Sequence, residues 1–266
     1  MKYILLCVIA LAVCLGCAWF PARWIGKAKK LNRVTTLFIA LGFAVLLICG
    51  VSFGYLSVYY HADAAAAAPS QTVKMEKIDG GYFFDGPGED SALIFYPGAK
   101  VETLAYAPLM TALAEEGVDC FLADMPFRMA ILNGSLADKF LNAYSYDNWA
   151  AAGHSMGGMV ISGYASDHDD RISSLILLAA YPTGTIPDSI RLYSIYGTQD
   201  GCLNPEAYEQ AKAYWPRTAA EFPLEGGNHA QYANYGSQSG DLEPGITREE
   251  QQMLTVDIIL KAVTEG

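Results

Sequence analysis

The stretch NWAAAGHSMGGMV, residues 148–160, decides how the rest of the chain is read. Asn148–Gly153 is a short apolar run of strand length, and a helix-like run resumes at Met156. Between them stands Ser155, with Gly153 two positions before it and Gly157 two after. Without a Cβ, glycine lets two stretches of backbone approach closely. A strand-to-helix turn built this way holds a serine in a strained conformation, its hydroxyl projecting above the sheet. Ala151, Ala152 and Gly158 keep the crossing of strand and helix tight. The pattern G-x-S-x-G is short, however, and a plain glycine turn containing serine also satisfies it.

Working outward, apolar strand-like runs alternate with helix-like ones, the signature of a parallel sheet flanked by helices. A hairpin is predicted around VKMEKIDGGYFFDG, turning at Gly80-Gly81. Strands are predicted at 91–98, 118–124, 148–153, 172–181, 190–197 and 218–226. Helices are predicted at 101–117, from 135 to about 144 with Ser135 and Asp138 as caps, and at 156–168, 204–215 and 247–266. Tyr106, Leu109, Met110 and Leu113 fall on one face of the first helix. PTGTIPDS, residues 182–189, is too short for the helical crossover that parallel strands usually require. The sequence therefore predicts a reduced connection there and no cap domain.

A serine hydroxyl needs a base to take its proton. His229, in GGNHAQY, follows the last strand through a Gly-Gly turn and is the candidate. His168 sits among acids at a helix end and reads as surface. His154 adjoins the serine, so its side chain is expected to point elsewhere, and His61 belongs to the membrane boundary. A third group must orient the imidazole. Asp200, in SIYGTQDG, comes directly after a strand. Asp124 precedes the serine, Glu225 lies before the Gly-Gly turn, and Asp188 and Asp241 read as solvated turn residues. Two backbone amides are needed for a tetrahedral oxyanion. Met156, just after the serine, is one candidate. Ala99 in YPGAK is the other, with Lys100 as second choice. Lys100, Phe127, Arg128 and Tyr232 are candidate substrate-pocket residues.

At FYPGAK, GHSMGG, YGTQDG and GGNHAQY, in that order over about residues 90–262, the chain resembles the α/β-hydrolase superfamily. It is most similar to compact, lidless bacterial members such as the dienelactone hydrolases. The resemblance implies an α/β fold with a doubly wound, mostly parallel sheet and a triad in the order Ser155, Asp200, His229, with no cofactor. The serine departs from dienelactone hydrolases proper, which use Cys, and from dehalogenases, which use Asp. The superfamily spans esterases, lipases, thioesterases, amidases and acyltransferases. The expected activity is cleavage of a carboxylic ester, with acyl transfer by the same triad and a non-catalytic binding protein as alternatives.

The ends of the chain differ in character. Residues 3–20 and 34–60 carry no charge, and each run is long enough to cross a bilayer. Between them PARWIGKAKKLNR holds five basic residues and no acid, flanked by Trp19, Phe20 and Trp24. Two transmembrane helices, about 3–20 and 35–57, are expected within an anchor at 1–62. A linker at 63–72 and a hydrolase domain at 73–266 follow. The positive-inside rule puts the basic loop in the cytoplasm and the domain on the extracytoplasmic side of the cell membrane. A cleaved signal peptide over residues 1–20 is the rival reading. Six of the 17 basic residues but only one of the 28 acids lie before residue 71, so the domain is strongly acidic. That argues against nucleic acid as a partner. The expected partners are a small-molecule or lipid-like ester substrate and membrane lipid around the anchor. Only Cys120 and Cys202 lie outside the apolar runs, and both read as free thiols. No Cys/His cluster predicts a metal.

Overall fold

A computed structural model describes residues 16–29, 31–64, 66, 72–88 and 90–264. The chain divides into two compact units, Met1–Val58 and Tyr59–Gly266. In the first unit, residues 16–28 are helical, and α1 spans Arg33–Ser57. Asn32 caps α1, its side chain accepting from the Thr35 N–H at 2.8 Å. Among the described residues, α1 is the one helix long and apolar enough to cross a membrane, with a mean hydropathy of 2.6. The other expected membrane helix, at about 3–20, lies outside the described residues except for its last turn.

The second unit is built on one eight-stranded sheet in the order β1-β2-β4-β3-β5-β6-β7-β8. β1 (Lys74–Ile78) and β2 (Gly81–Asp85) form the predicted hairpin, and β2 pairs antiparallel with β4 (Asp119–Ala123). β3 (Ser91–Tyr96), β5 (Asn148–His154), β6 (Ser174–Leu178), β7 (Arg191–Gly197) and β8 (Ala220–Leu224) continue in parallel from β4. Side chains alternate across each strand, so each parallel strand feeds two apolar layers. Leu93, Phe95, Ala150, Ala152, Ile176 and Leu178 enter one. Ala92, Ile94, Ala151, Leu175 and Leu177 enter the other.

Helices cover both faces, which makes the sheet doubly wound. α2 (Ala107–Glu115) and α6 (Arg248–Thr264) lie on the first layer, while α3 (Ala137–Ala143) and α4 (Met156–Asp167) lie on the second. A shorter helix, α5 (Pro205–Ala211), precedes β8. Tyr106, Leu109, Met110 and Leu113 are all buried, as their spacing predicts. No helix occupies the segment between β6 and β7, in keeping with the brevity of PTGTIPDS. The predicted cap on α3 is absent. The helix opens without a side-chain cap, and Asp138 instead accepts the Tyr164 hydroxyl at 2.6 Å.

Residues 59–63 join the second unit as a strap. Tyr60 donates its N–H to the Lys100 carbonyl at 2.7 Å and accepts the Glu102 N–H at 2.9 Å. The Asp63 N–H reaches the Asn234 carbonyl at 2.8 Å, and the Asp63 carboxylate pairs with Arg248 at 2.6 Å. The strap thus runs along the loop that follows β3.

Candidate active site

Ser155 sits between the end of β5 and the start of α4 with φ 52° and ψ −123°. Non-glycine residues rarely hold such a conformation without support from their surroundings. The glycines around it supply that support by being small. A Cβ on Gly153 would stand 2.6 Å from the Gly157 backbone, and one on Gly157 would stand 2.1 Å from the Tyr96 carbonyl oxygen. The start of α4 is therefore pressed onto both β5 and the end of β3. Met156 is the first residue of α4, so its N–H has no intrahelical carbonyl to bond.

The loop after β3 runs beside this turn. Lys100 is left-handed at φ 58°, and its N–H is spent on the Arg128 carbonyl at 2.9 Å. That removes Lys100, the second choice, as an oxyanion donor. Among the described residues no hydrogen bond engages the Ala99 N–H.

His229 and Asp200 come from the loops after β8 and β7. The Nδ1 of His229 lies 2.8 Å from Oδ2 of Asp200, and the two side chains are only 3% and 2% exposed. The other Asp200 oxygen, Oδ1, accepts the Cys202 and Leu203 N–H groups at 2.8 and 2.7 Å. With its carboxylate held in this way, Asp200 fixes Nδ1, and the other imidazole nitrogen, Nε2, is the one left to act as a base. The Ser155 hydroxyl makes no hydrogen bond among the described residues.

Cys202 also offers a sulfur near this pair; one donor atom each from Asp200, Cys202 and His229 lie within 4.8 Å of one another. The histidine and aspartate atoms already satisfy each other, so the trio is a hydrogen-bonded pair with a neighbouring thiol rather than an open set of ligands. Burial raises the Cys202 pKa, which keeps that thiol protonated. Asp241, read from the sequence as a solvated turn residue, is instead half-buried and binds four backbone N–H groups. Its Oδ1 accepts from Gly201, His229 and Leu242, and its Oδ2 from Ala230. It clasps the Asp200 and His229 loops together. An aspartate twelve residues beyond the histidine carries no motif, so nothing in the sequence marks it.

The pocket candidates separate. Phe127 and Arg128 stand on the loop after β4, both left-handed, at φ 51° and 59°. Phe127 is half-exposed, while the Arg128 guanidinium packs over the Tyr59 ring at 3.4 Å from its centroid. Tyr232 is fully buried, and among the described residues its hydroxyl has no hydrogen-bond partner. Its ring lies 5.4 Å from that of His154. Of the histidines set aside, His168 stacks on Tyr164, remote in the fold, but His154 is buried with its ring 4.6 Å from that of His229.

A family model described as "Alpha/beta hydrolase family" matches residues 92–253, more than half of the chain. The chain belongs to the alpha/beta hydrolase family. Solved structures agree on the fold. The thioesterase domain from the curacin biosynthetic pathway superposes with a TM-score of 0.52 at 14% identity, over 72% of this chain and 100% of that one. MGS-MChE2, an alpha/beta hydrolase from a sediment metagenome, gives 0.52 at 15% identity over 71% and 98%. The alpha/beta hydrolase domain-containing protein 10 from mouse gives 0.50 at 11% identity over 71% and 97%. No curated protein matches the chain. At these identities the structural likeness speaks for the fold alone, and the hydrolase class rests on the family.

Proposed function

We propose that this hydrolase is a serine esterase, held at a membrane by its apolar N-terminal region, that cleaves a carboxylic ester through an acyl-enzyme. The observation that carries the reading is the conformation of Ser155. A non-glycine residue at φ 52° and ψ −123°, wedged by close-packed glycines at a strand-to-helix turn, is costly. The buried His229–Asp200 pair on neighbouring loops gives that strain a use.

In the proposed reaction His229 Nε2 takes the Ser155 proton as Oγ attacks the ester carbonyl carbon. Asp200 stabilises the imidazolium through Nδ1. The oxyanion is met by the Met156 and Ala99 N–H groups. Collapse expels the alcohol, which takes the proton from His229 and leaves an ester on Ser155. Water then repeats the attack with His229 as base, releasing the acid and restoring the serine.

The anchor reading draws on the apolarity of α1 and on the basic loop before it. It places the domain on the extracytoplasmic side. Labelling by a fluorophosphonate probe tests the enzyme reading. Wild type labels and Ser155→Ala does not; equal labelling overturns the proposal. A chain-length series of p-nitrophenyl esters then defines the acyl group, and an added alcohol acceptor separates hydrolysis from acyl transfer.

A further inference from the structure

We propose that His154, the residue before the nucleophile, is a positioning residue that holds the oxyanion loop in register through Tyr106. This inference rests on the esterase reading of Ser155. His154 is 1% exposed, and its Nδ1 lies 2.7 Å from the hydroxyl oxygen of Tyr106, itself fully buried. The same tyrosine oxygen accepts the Gly98 N–H at 3.0 Å. A phenol has one proton to give. Gly98 donates to the oxygen, and among the described residues His154 Nδ1 is the one acceptor in reach of the phenol proton, so Nδ1 takes the acceptor role. The network assigns the neutral tautomer with its hydrogen on Nε2. Burial, and then the neighbouring His229, hold the His154 pKa well below the usual range, which keeps this tautomer neutral.

The loop has no slack against this pair. A Cβ on Gly98 would come within 2.8 Å of His154 Nδ1 and 2.9 Å of the Tyr106 oxygen. On its other side, the Tyr96 and Pro97 carbonyls press on Gly157 at the head of α4. The peptide before Ala99 is thus clamped between α4, which carries the other oxyanion donor, and a hydrogen-bonded chain rooted next to Ser155. One buried side chain couples the nucleophile turn to the Ala99 donor. Its Nε2 is buried beside the His229 backbone and, among the described residues, makes no hydrogen bond of ordinary geometry. An apolar residue would not have to bury that nitrogen, so packing alone does not account for a histidine here.

The test compares Tyr106→Phe, His154→Leu and His154→Asn in the full chain, with a short water-soluble ester as substrate. The amide oxygen of asparagine occupies the place of Nδ1 and restores an acceptor for Tyr106. Tyr106→Phe and His154→Leu are expected to lower kcat about 10- to 100-fold with KM within about twofold, the pattern of a misplaced transition-state donor. His154→Asn is expected to recover most of that loss. Hydrogen exchange at Gly98 and Lys100 accelerates in Tyr106→Phe beyond the general acceleration that any drop in melting temperature brings. The inference is overturned if Tyr106→Phe and His154→Leu turn over like wild type, or if His154→Asn is as impaired as His154→Leu. It is also overturned if the loss tracks a lower melting temperature with loop exchange unchanged. Ser155→Ala separates the two readings. Retained turnover in that variant sinks the esterase reading itself, whereas a dead Ser155→Ala beside normal Tyr106 and His154 variants sinks only this inference.

Discussion

His229 Nδ1 and Asp200 Oδ2 are hydrogen-bonded at 2.8 Å inside a site where neither side chain exceeds 3% exposure. In such a place a carboxylate both selects the tautomer of the imidazole and stabilises its cation. Asp200→Asn keeps the shape but presents an amide to Nδ1. The expected result is a fall in kcat of about 10³- to 10⁴-fold with the fold intact. Ester turnover and circular dichroism on the same preparation check it; near-normal kcat would remove Asp200 from the triad.

Asp241 supports the same pair from behind. Removing its carboxylate orphans the part-buried N–H groups of His229 and Ala230, while those of Gly201 and Leu242 turn to water. Asp241→Ala is therefore expected to cost about 1–3 kcal/mol of stability and to lower kcat by loosening both loops. Asp241→Asn retains one acceptor oxygen and should sit between. Urea unfolding and turnover on the two variants measure this, and a wild-type Asp241→Ala would show that water replaces the carboxylate freely.

The buried His154 also makes stability depend on pH with a definite sign. Its folded-state pKa is depressed by burial, so below about pH 6.5, the usual histidine value, the unfolded chain binds a proton that the folded one does not. Its contribution is fully present above that pH and is lost as pH falls below it, by up to about 1.4 kcal/mol per pH unit. His154→Asn abolishes this component. Melting temperatures of both proteins between pH 5 and 8 check it; parallel curves would show that His154 does not titrate on unfolding.

The strap predicts where the catalytic domain begins. Tyr60 bonds both the Lys100 carbonyl and the Glu102 N–H, and Arg128 lies over Tyr59. A chain starting at residue 59 should retain turnover, while one starting at residue 73 leaves the loop after β3 unpaired and should lose about tenfold in kcat. Equal turnover of the two truncations would show that the strap is dispensable.

Much of this molecule is legible in its residues. Local signals decide where strands and helices fall, because burial on both faces demands continuous apolar runs and tight turns demand glycine. The same locality explains why the hairpin at Gly80-Gly81, the helix-free link at 182–189 and the turn at Ser155 could be read directly. The order of Ser155, Asp200 and His229 along the chain also nominates them, since each follows a strand.

What the sequence by itself could not decide is which side chains meet across long separations. Ser135 looked like a cap, yet Asp138 turned to Tyr164, because a helix start reports its own chain and not its neighbours. Asp241 looked solvated because three of its four donors, Gly201, His229 and Ala230, lie on two other loops. His154 looked like a bystander because adjacency to Ser155 says nothing about Tyr106, 48 residues away, or about Gly98 beyond it. Propensity and periodicity act over a few residues and so are written along the chain. Hydrogen bonds between loops depend on how the sheet brings strand ends together, and that exists only once the chain has folded.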